Sequence, residues 1–141
     1  MDHARERAAE LAADMAGVLY ALRVEPDPGF EYISPSIESL IGYTPEQLMA
    51  SDVPTLVRLV HHDDRGMVDQ IVSAPYDEVI ELSFRWIAAD GSAVWARHRA
   101  RKERRPDGSV VLFGAAQDAA AEASARAALA ESEQLYRLVA E

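Results

Sequence analysis

Residues 78–88 constrain the fold most, because apolar and polar side chains alternate along them. The apolar members are Ile80, Leu82, Phe84, Trp86 and Ala88, and Glu81, Ser83 and Arg85 stand between them. Alternation with a period of two predicts a β-strand with one face in the core. An Asp-Gly turn at 90–91 follows, so residues 92–101 are predicted to be the antiparallel hairpin partner.

Three further segments complete a predicted sheet. A Pro-Asp-Gly turn at 106–108 leads into residues 109–118, which are apolar on both faces, as in a strand at the middle of a sheet. Near the start of the chain, residues 17–24 and 30–34 form a predicted hairpin around the turn sequence EPDPG. The chain therefore predicts five antiparallel strands.

Short helices are predicted between the second and third strands. The Ser-Pro pair at 34–35 predicts an N-cap and the first residue of one helix. The sequence TPEQ at 44–47 predicts a second helix with a capping box. A third is predicted from the cluster at 61–64 to about Ser73, and its buried side chains would be Met67, Val68, Ile71 and Val72. These segments are too short for a bundle, so we expect an α+β fold with the helices on one side of the sheet.

Helices are also predicted at both ends of the chain. In residues 3–16, Leu11 and Met15 share one stripe. In residues 119–141, small and apolar residues are spaced alternately four and three apart, which is the a/d pattern of a coiled coil. That stripe is Ala121, Ala125, Ala128, Ser132, Leu135 and Val139. A solvent-exposed helix is the alternative. The predicted organisation is an N-terminal helix (1–16), one domain (17–118) and a linker helix (119–141).

Composition excludes several classes of function. The chain has no cysteine, which excludes disulfides, thiolate metal sites and thiol nucleophiles. A formal net charge of −10 repels phosphate backbones, so no nucleic-acid binding is expected. The basic run 97–105 is interpreted as the solvated face of a strand. Because no apolar run approaches the roughly 18 residues of a membrane span, we expect a soluble segment without membrane contact. The lack of cysteine fits a cytoplasmic location, which is the expected one.

The chemistry-bearing residues do not form a catalytic constellation. The cluster His61-His62-Asp63-Asp64 has the residue types of a metal site, but adjacent residues at the start of a helix point in different directions. A structural cap is the preferred interpretation. We therefore predict no enzymatic activity and no metal.

Four stretches follow one another in a recognisable order: FEYISPSIESLIGYTPEQL, LVHHDDRGMV, FRWIAADGSAVW and GSVVLFGAAQD. Through them, residues 17–118 resemble a PAS domain of the bacterial fold-3 type. The first stretch is similar to the family's strand and helical pair, and the second to the start of its long helix, with His62 in place of proline. The last two are similar to its later strands. The chain departs at 118–120, where Asp-Ala-Ala replaces the family's Asp-Ile-Thr. Residues 132–137 resemble the opening of a following PAS repeat, which implies a downstream output domain in the same chain.

The resemblance implies a small cavity between the sheet and the short helices. The candidate ligand-binding residues on the inner face are Tyr20, Leu82, Phe84, Trp86, Ala96, His98, Leu112 and Ala116. His98 is interpreted either as a buried, hydrogen-bonded core residue or as a ligand contact that makes binding pH-sensitive. The ligand itself is unknown.

Known PAS cofactors fit this sequence poorly. A covalent flavin needs a cysteine, and Trp86, Ala96 and Ala116 stand where flavin binders place amides. Haem is disfavoured because only His61 and His62 lie near the long helix. The remaining possibilities are a small apolar or amphipathic metabolite and no ligand at all.

Signalling is expected to use a homodimer. An exposed Trp95 on the outer face needs a cover, which the N-terminal helix could supply from the same or a partner chain. The predicted dimer and signalling residues are Leu11, Met15, Trp95, Asp118, Leu135 and Val139. The predicted function is a ligand-responsive input for an output domain such as a histidine kinase or a cyclic-dinucleotide enzyme. The alternatives are a ligand-free dimerisation module and a haem-based sensor.

Overall fold

The computed structural model describes residues 3–12, 17–119, 127–135 and 137, which form one antiparallel sheet and a series of short helices. In chain order the elements are α1 (His3–Ala12), β1 (Val18–Glu25), β2 (Gly29–Ile33), α2 (Ile37–Ile41), α3 (Pro45–Met49), α4 (Val53–Arg58), a 3-10 turn (His62–Asp64), α5 (Gly66–Val72), β3 (Val79–Ile87), β4 (Ala93–Arg104) and β5 (Val110–Asp118). Residues 127–135 are also helical. Within these residues there is no helix that could span a bilayer.

The sheet has the strand order β2-β1-β5-β4-β3, and every neighbouring pair is antiparallel. The predicted α+β class and the five strands are confirmed. β5 lies at the centre with both faces buried, as its two-sided apolar sequence predicted. The register aligns Leu82 with His98, and His98 with Ala116, so these inner-face positions form one row across the sheet.

The turns that set this register are those the sequence predicted. Gly91 and Gly108 have φ angles of 89° and 90°, a region that favours glycine. The Ala88 N–H donates to the Ser92 carbonyl at 2.8 Å, and the Arg105 N–H donates to the Ser109 carbonyl at the same distance. Both hairpins of the second half of the sheet are therefore closed by tight turns.

The short helices confirm one predicted cap and correct another. In α3, Thr44 Oγ1 accepts from the Gln47 N–H at 3.2 Å and Gln47 Oε1 accepts from the Thr44 N–H at 2.8 Å, which is the predicted capping box. The predicted cap at 34–35 is wrong, because α2 begins at Ile37. Ser34 instead continues the edge pairing of β2: its hydroxyl accepts from the Leu19 N–H at 2.9 Å, and its own N–H donates to the Leu19 carbonyl at 2.8 Å.

The third predicted helix is divided, and one helix was not predicted. A 3-10 turn precedes α5, and Met67 and Ile71 of α5 pack against the core as expected. The predicted burial of Val68 and Val72 falls outside the described side chains. The additional helix is α4, where Asp52 Oδ1 accepts from the Thr55 N–H at 3.0 Å.

Helix α1 covers the outer face of the sheet within its own chain. Leu11, only 2% exposed, packs in a cluster with Ala21, Val111, Phe113 and Ala115. The described part of the helix lies mainly across β5 and β1 of its own chain, and its predicted cover of Trp95 from a partner chain stays a prediction. Trp95 stays 38% exposed, and the Arg85 guanidinium lies over its ring at 5.0 Å. Met15 lies outside the described residues.

Candidate functional site

A cavity of about 340 Å³ lies between the inner face of the sheet and the segment that contains α4 and α5. Five of the eight predicted ligand-binding residues line it: Tyr20, Phe84, Trp86, His98 and Leu112. The other three, Leu82, Ala96 and Ala116, are not part of the lining, although Ala96 and Ala116 are fully buried beside it. The volume falls within the range of small-molecule sites.

The helical wall of the cavity consists of residues that the strand alternation could not identify. These are Leu56, Val57, Leu59, Val60, Met67 and Ile71, and Phe30 of β2 contributes from the edge of the sheet. Short helices with irregular connections have no periodicity that tells which side chains face inward. The opposite charges of Asp64 and Arg85 were the sequence signal that could have indicated where this wall joins β3.

Asp64 and Arg85 fasten that wall to the sheet. Asp64 Oδ2 accepts from the Arg85 backbone N–H at 2.8 Å, and its two oxygens accept from Nε and Nη2 of the Arg85 guanidinium at 2.9 Å each. These hydrogen bonds lower the pKa of Asp64 to about 2. Next to them, the Ile87 N–H donates to the Leu59 carbonyl at 2.6 Å and the His61 N–H to the Arg85 carbonyl at 2.9 Å. The wall is thereby bonded to β3.

The cavity carries one buried polar group of three side chains, which we call the hydrogen-bond chain. Trp86 Nε1 donates to His98 Nε2 at 2.8 Å, and His98 Nδ1 lies 3.2 Å from the Tyr20 hydroxyl. The Phe84 ring stacks on the imidazole with a centroid separation of 4.1 Å. His98, 1% exposed, thus lies in the core with both ring nitrogens bonded, and it also lines the cavity.

Tyr20 occupies its position because residue 114 has no side chain. A Cβ at Gly114 would lie 2.3 Å from Tyr20 Cζ and 2.4 Å from its hydroxyl oxygen. The two residues are paired across β1 and β5, so the phenol ring lies directly on the backbone of the central strand. This close approach brings the hydroxyl to His98.

The hydrogen-bond chain is uncharged at neutral pH, and its proton positions are determined by Trp86. An indole N–H can only donate, so His98 Nε2 must accept. A neutral imidazole then has its proton on Nδ1 and donates it to the Tyr20 oxygen. Burial lowers the pKa of His98 to about 3 and raises the pKa of Tyr20, because the core disfavours both charged forms.

Stability is expected to fall as pH decreases below 6.5. The unfolded chain then binds a proton at residue 98 that the folded chain excludes down to about pH 3. At about 1.4 kcal/mol per unit, the free energy of unfolding should be about 2 kcal/mol lower at pH 5 than at pH 7. Urea titrations at the two pH values measure this difference. It should disappear in a His98→Phe variant, and its persistence there would assign it to another group.

In the histidine–aspartate cluster, His62 and Asp63 are exposed and His61 acts as a cap. His61 Nδ1 accepts from the Asp63 N–H at 3.1 Å, which starts the 3-10 turn as the preferred interpretation predicted. One ligand-type atom each from His61, His62 and Asp63 lie within 4.8 Å of one another. None of these residues lines the cavity.

The predicted signalling residues lie at several separate places. Asp118 ends β5 opposite Ala96, and the following Ala119 N–H donates to the Trp95 carbonyl at 2.8 Å. Leu135, in the helical residues 127–135, is 63% exposed. Val139 lies outside the described residues. The sheet and the start of the linker are therefore joined next to Trp95.

Comparison with known proteins identifies the same fold. The family model of the PAS fold matches residues 30–116. An uncharacterized protein of Sinorhizobium fredii (strain NBRC 101917 / NGR234) is 31% identical over 103 residues, which are 71% of this chain but 12% of that protein. The chain thus spans a small part of the length of that relative.

Two solved structures are similar over most of the domain. The N-terminal domain of a diguanylate cyclase with PAS/PAC sensor from Marinobacter aquaeolei is 26% identical with a TM-score of 0.62, and the match covers 74% of this chain and 96% of that domain. A sensory box histidine kinase/response regulator from Burkholderia thailandensis is 20% identical with a TM-score of 0.66, covering 92% of this chain and 97% of the other. The second likeness concerns the fold alone.

Proposed function

The chain belongs to the PAS fold family, and on that premise we propose that it is a sensory input that binds a small ligand in its core. The signal passes through the linker helix to an output domain, of the kind that the diguanylate cyclase and histidine kinase relatives contain. The domain does no catalysis itself. The change that it senses is the occupancy of the cavity. A bound ligand changes the relative populations of two conformations of the sheet.

The observation that carries this proposal is the cavity of about 340 Å³. A ligand-free dimerisation module would need no such space, and its inner face would be filled by Phe84 and Trp86. Here both side chains line the cavity, and Phe84 stacks on His98. Close packing is the rule in protein interiors, so a space of this size beside a polar group supports binding over a purely structural role.

The chemistry of the lining argues against haem and flavin as the ligand. His98 is the histidine of the lining, and hydrogen bonds occupy both of its ring nitrogens, so it offers no free nitrogen to iron. A flavin adduct through sulfur needs a cysteine, which the sequence lacks. A non-covalent organic molecule is the ligand that fits best.

The route of the signal follows from how the linker leaves the sheet. β5 contributes Leu112 to the cavity and ends at Asp118, and Ala119 is bonded to Trp95 of β4. A displacement of β5 relative to β4 is therefore passed directly to Ala119, the residue that follows β5. The helical residues 127–135 expose Leu135, which supports pairing of this helix with a second copy.

Replacing Leu135 with aspartate is expected to raise the dissociation constant of the homodimer at least about tenfold, because a charge replaces an apolar side chain in the seam. Ala130→Asp is the matched control, since the heptad places residue 130 on the opposite side of the helix. Light scattering over a concentration series measures both. A monomeric parent chain, or equal losses in the two variants, would contradict the coiled-coil proposal.

Native mass spectrometry of the purified domain, with an absorption spectrum, tests the proposed function directly. We expect a bound organic molecule that is released on unfolding and no Soret band. A fully apo domain that also gains no stability across a panel of small apolar compounds would overturn ligand sensing and favour the dimerisation module.

A further inference from the structure

The hydrogen-bond chain has one proton without an acceptor. Trp86 donates to His98 and His98 donates to Tyr20, so the Tyr20 oxygen already accepts, and its own O–H must point elsewhere. Among the described residues the Tyr20 hydroxyl has His98 Nδ1 as its hydrogen-bond partner, and because that nitrogen donates, it leaves the phenol proton without an acceptor there. A buried donor without a partner is costly, which makes Tyr20 the natural contact for a ligand.

Around Tyr20 the cavity offers no charge to a ligand. The lining is mostly aliphatic and aromatic, and His98 is neutral. The one charged residue of the lining, Arg23, has its guanidinium bonded to the Asp27 carbonyl at 2.8 Å and to Glu31 at 3.0 Å. An anionic ligand would lose its hydration without gaining a free cation.

We propose that the ligand is an uncharged, mainly apolar molecule whose single well-placed acceptor, a carbonyl or ether oxygen, takes the hydrogen bond of the Tyr20 hydroxyl. This inference rests on the proposed function and names the class of ligand. A ligand that can only donate would approach an oxygen that already accepts from His98, and would leave the phenol proton unpaired. The arrangement therefore selects acceptors over donors and over hydrocarbons.

The position of the imidazole proton is the first test, and it needs no ligand. Nitrogen-15 NMR of the histidine rings at pH 7 distinguishes the two neutral tautomers. We expect His98 to carry its proton on Nδ1, with an unprotonated Nε2. A proton on Nε2 would mean that the phenol donates to the imidazole, and the inference would be overturned.

Matched probes are the second test. Acetophenone and ethylbenzene share one carbon skeleton and differ by the carbonyl oxygen, and benzoate adds a charge. NMR titration of the intact domain measures the dissociation constant of each probe. Acetophenone should bind about tenfold more tightly than ethylbenzene, and benzoate should bind more weakly than either. In Tyr20→Phe the preference for acetophenone should fall below about twofold. Tyr32→Phe, on the opposite face of the sheet, should keep it.

The outcomes separate this inference from the proposed function. Equal binding of acetophenone and ethylbenzene overturns the acceptor preference while leaving the cavity as a binding site. A preference that survives in Tyr20→Phe assigns it to another group and also overturns the inference. If no probe binds but native mass spectrometry finds a bound molecule, the inferred class is wrong and ligand sensing stands.

Discussion

Replacing Gly114 with alanine is expected to lower the free energy of unfolding by about 3 kcal/mol, because the new methyl group has no space. Its carbon would lie within 2.3–2.7 Å of two ring carbons and the hydroxyl oxygen of Tyr20. That ring is buried, so it cannot move aside without disturbing the core around it. Urea denaturation monitored by tryptophan fluorescence measures the loss.

Two comparisons isolate the cause. Gly66→Ala is the matched control, since a Cβ there meets nothing within 4 Å, and it should leave stability unchanged or slightly higher. In a Tyr20→Leu background, which lacks the clashing ring atoms, Gly114→Ala should cost at least about 1 kcal/mol less. A Gly114→Ala variant as stable as the parent chain would show that the ring does not lie on the central strand.

Replacing His98 with phenylalanine is expected to cost about 2–4 kcal/mol at pH 7. The ring volume is nearly kept, but the Trp86 N–H loses its acceptor and the Tyr20 oxygen loses its donor. Each buried polar group left without a partner costs about 1–3 kcal/mol. Thermal and urea unfolding measure the effect, and the residual fold is checked by circular dichroism.

His62→Phe is the control for His98→Phe, because its side chain is 72% exposed and the same change there should stay within about 0.5 kcal/mol. Combining His98→Phe with Tyr20→Phe measures the energetic coupling between the two side chains. If His98 and Tyr20 are hydrogen-bonded, the double variant should cost about 1 kcal/mol less than the sum of the single variants. Additive losses would argue that the two side chains act independently.

The sheet could be predicted from the sequence because alternation and turns are local signals. The pattern of 78–88 gave the inward face of β3, and the Asp-Gly and Pro-Asp-Gly turns closed the hairpins. The two-sided apolar run placed β5 at the centre. The helix cap predicted at Ser34 was wrong because a serine hydroxyl, which often caps a helix, can also bond the backbone of an adjacent strand.

The site was only partly predictable, because a cavity is the space that side chains from segments distant in sequence leave unfilled. Alternation identified Tyr20, Phe84, Trp86 and His98 as inward, and the structure brings all four together. It could not distinguish Leu82 or Ala116, which share that face but lie outside the lining. It also could not give the helical wall or the direction of the hydrogen bonds, which depend on three-dimensional placement.

The wall of the cavity also affects how the molecule behaves among other copies of itself. β3 is an edge strand, and unpaired edges can recruit foreign strands into open-ended aggregates. Near Ile87 that edge is already occupied: the Arg85 N–H bonds to Asp64, the Arg85 carbonyl to the His61 N–H, and the Ile87 N–H to the Leu59 carbonyl. Resistance to aggregation at high concentration therefore depends on how firmly the cavity wall stays bonded to β3. Any variant that loosens the wall exposes an unpaired strand edge to other copies of the chain.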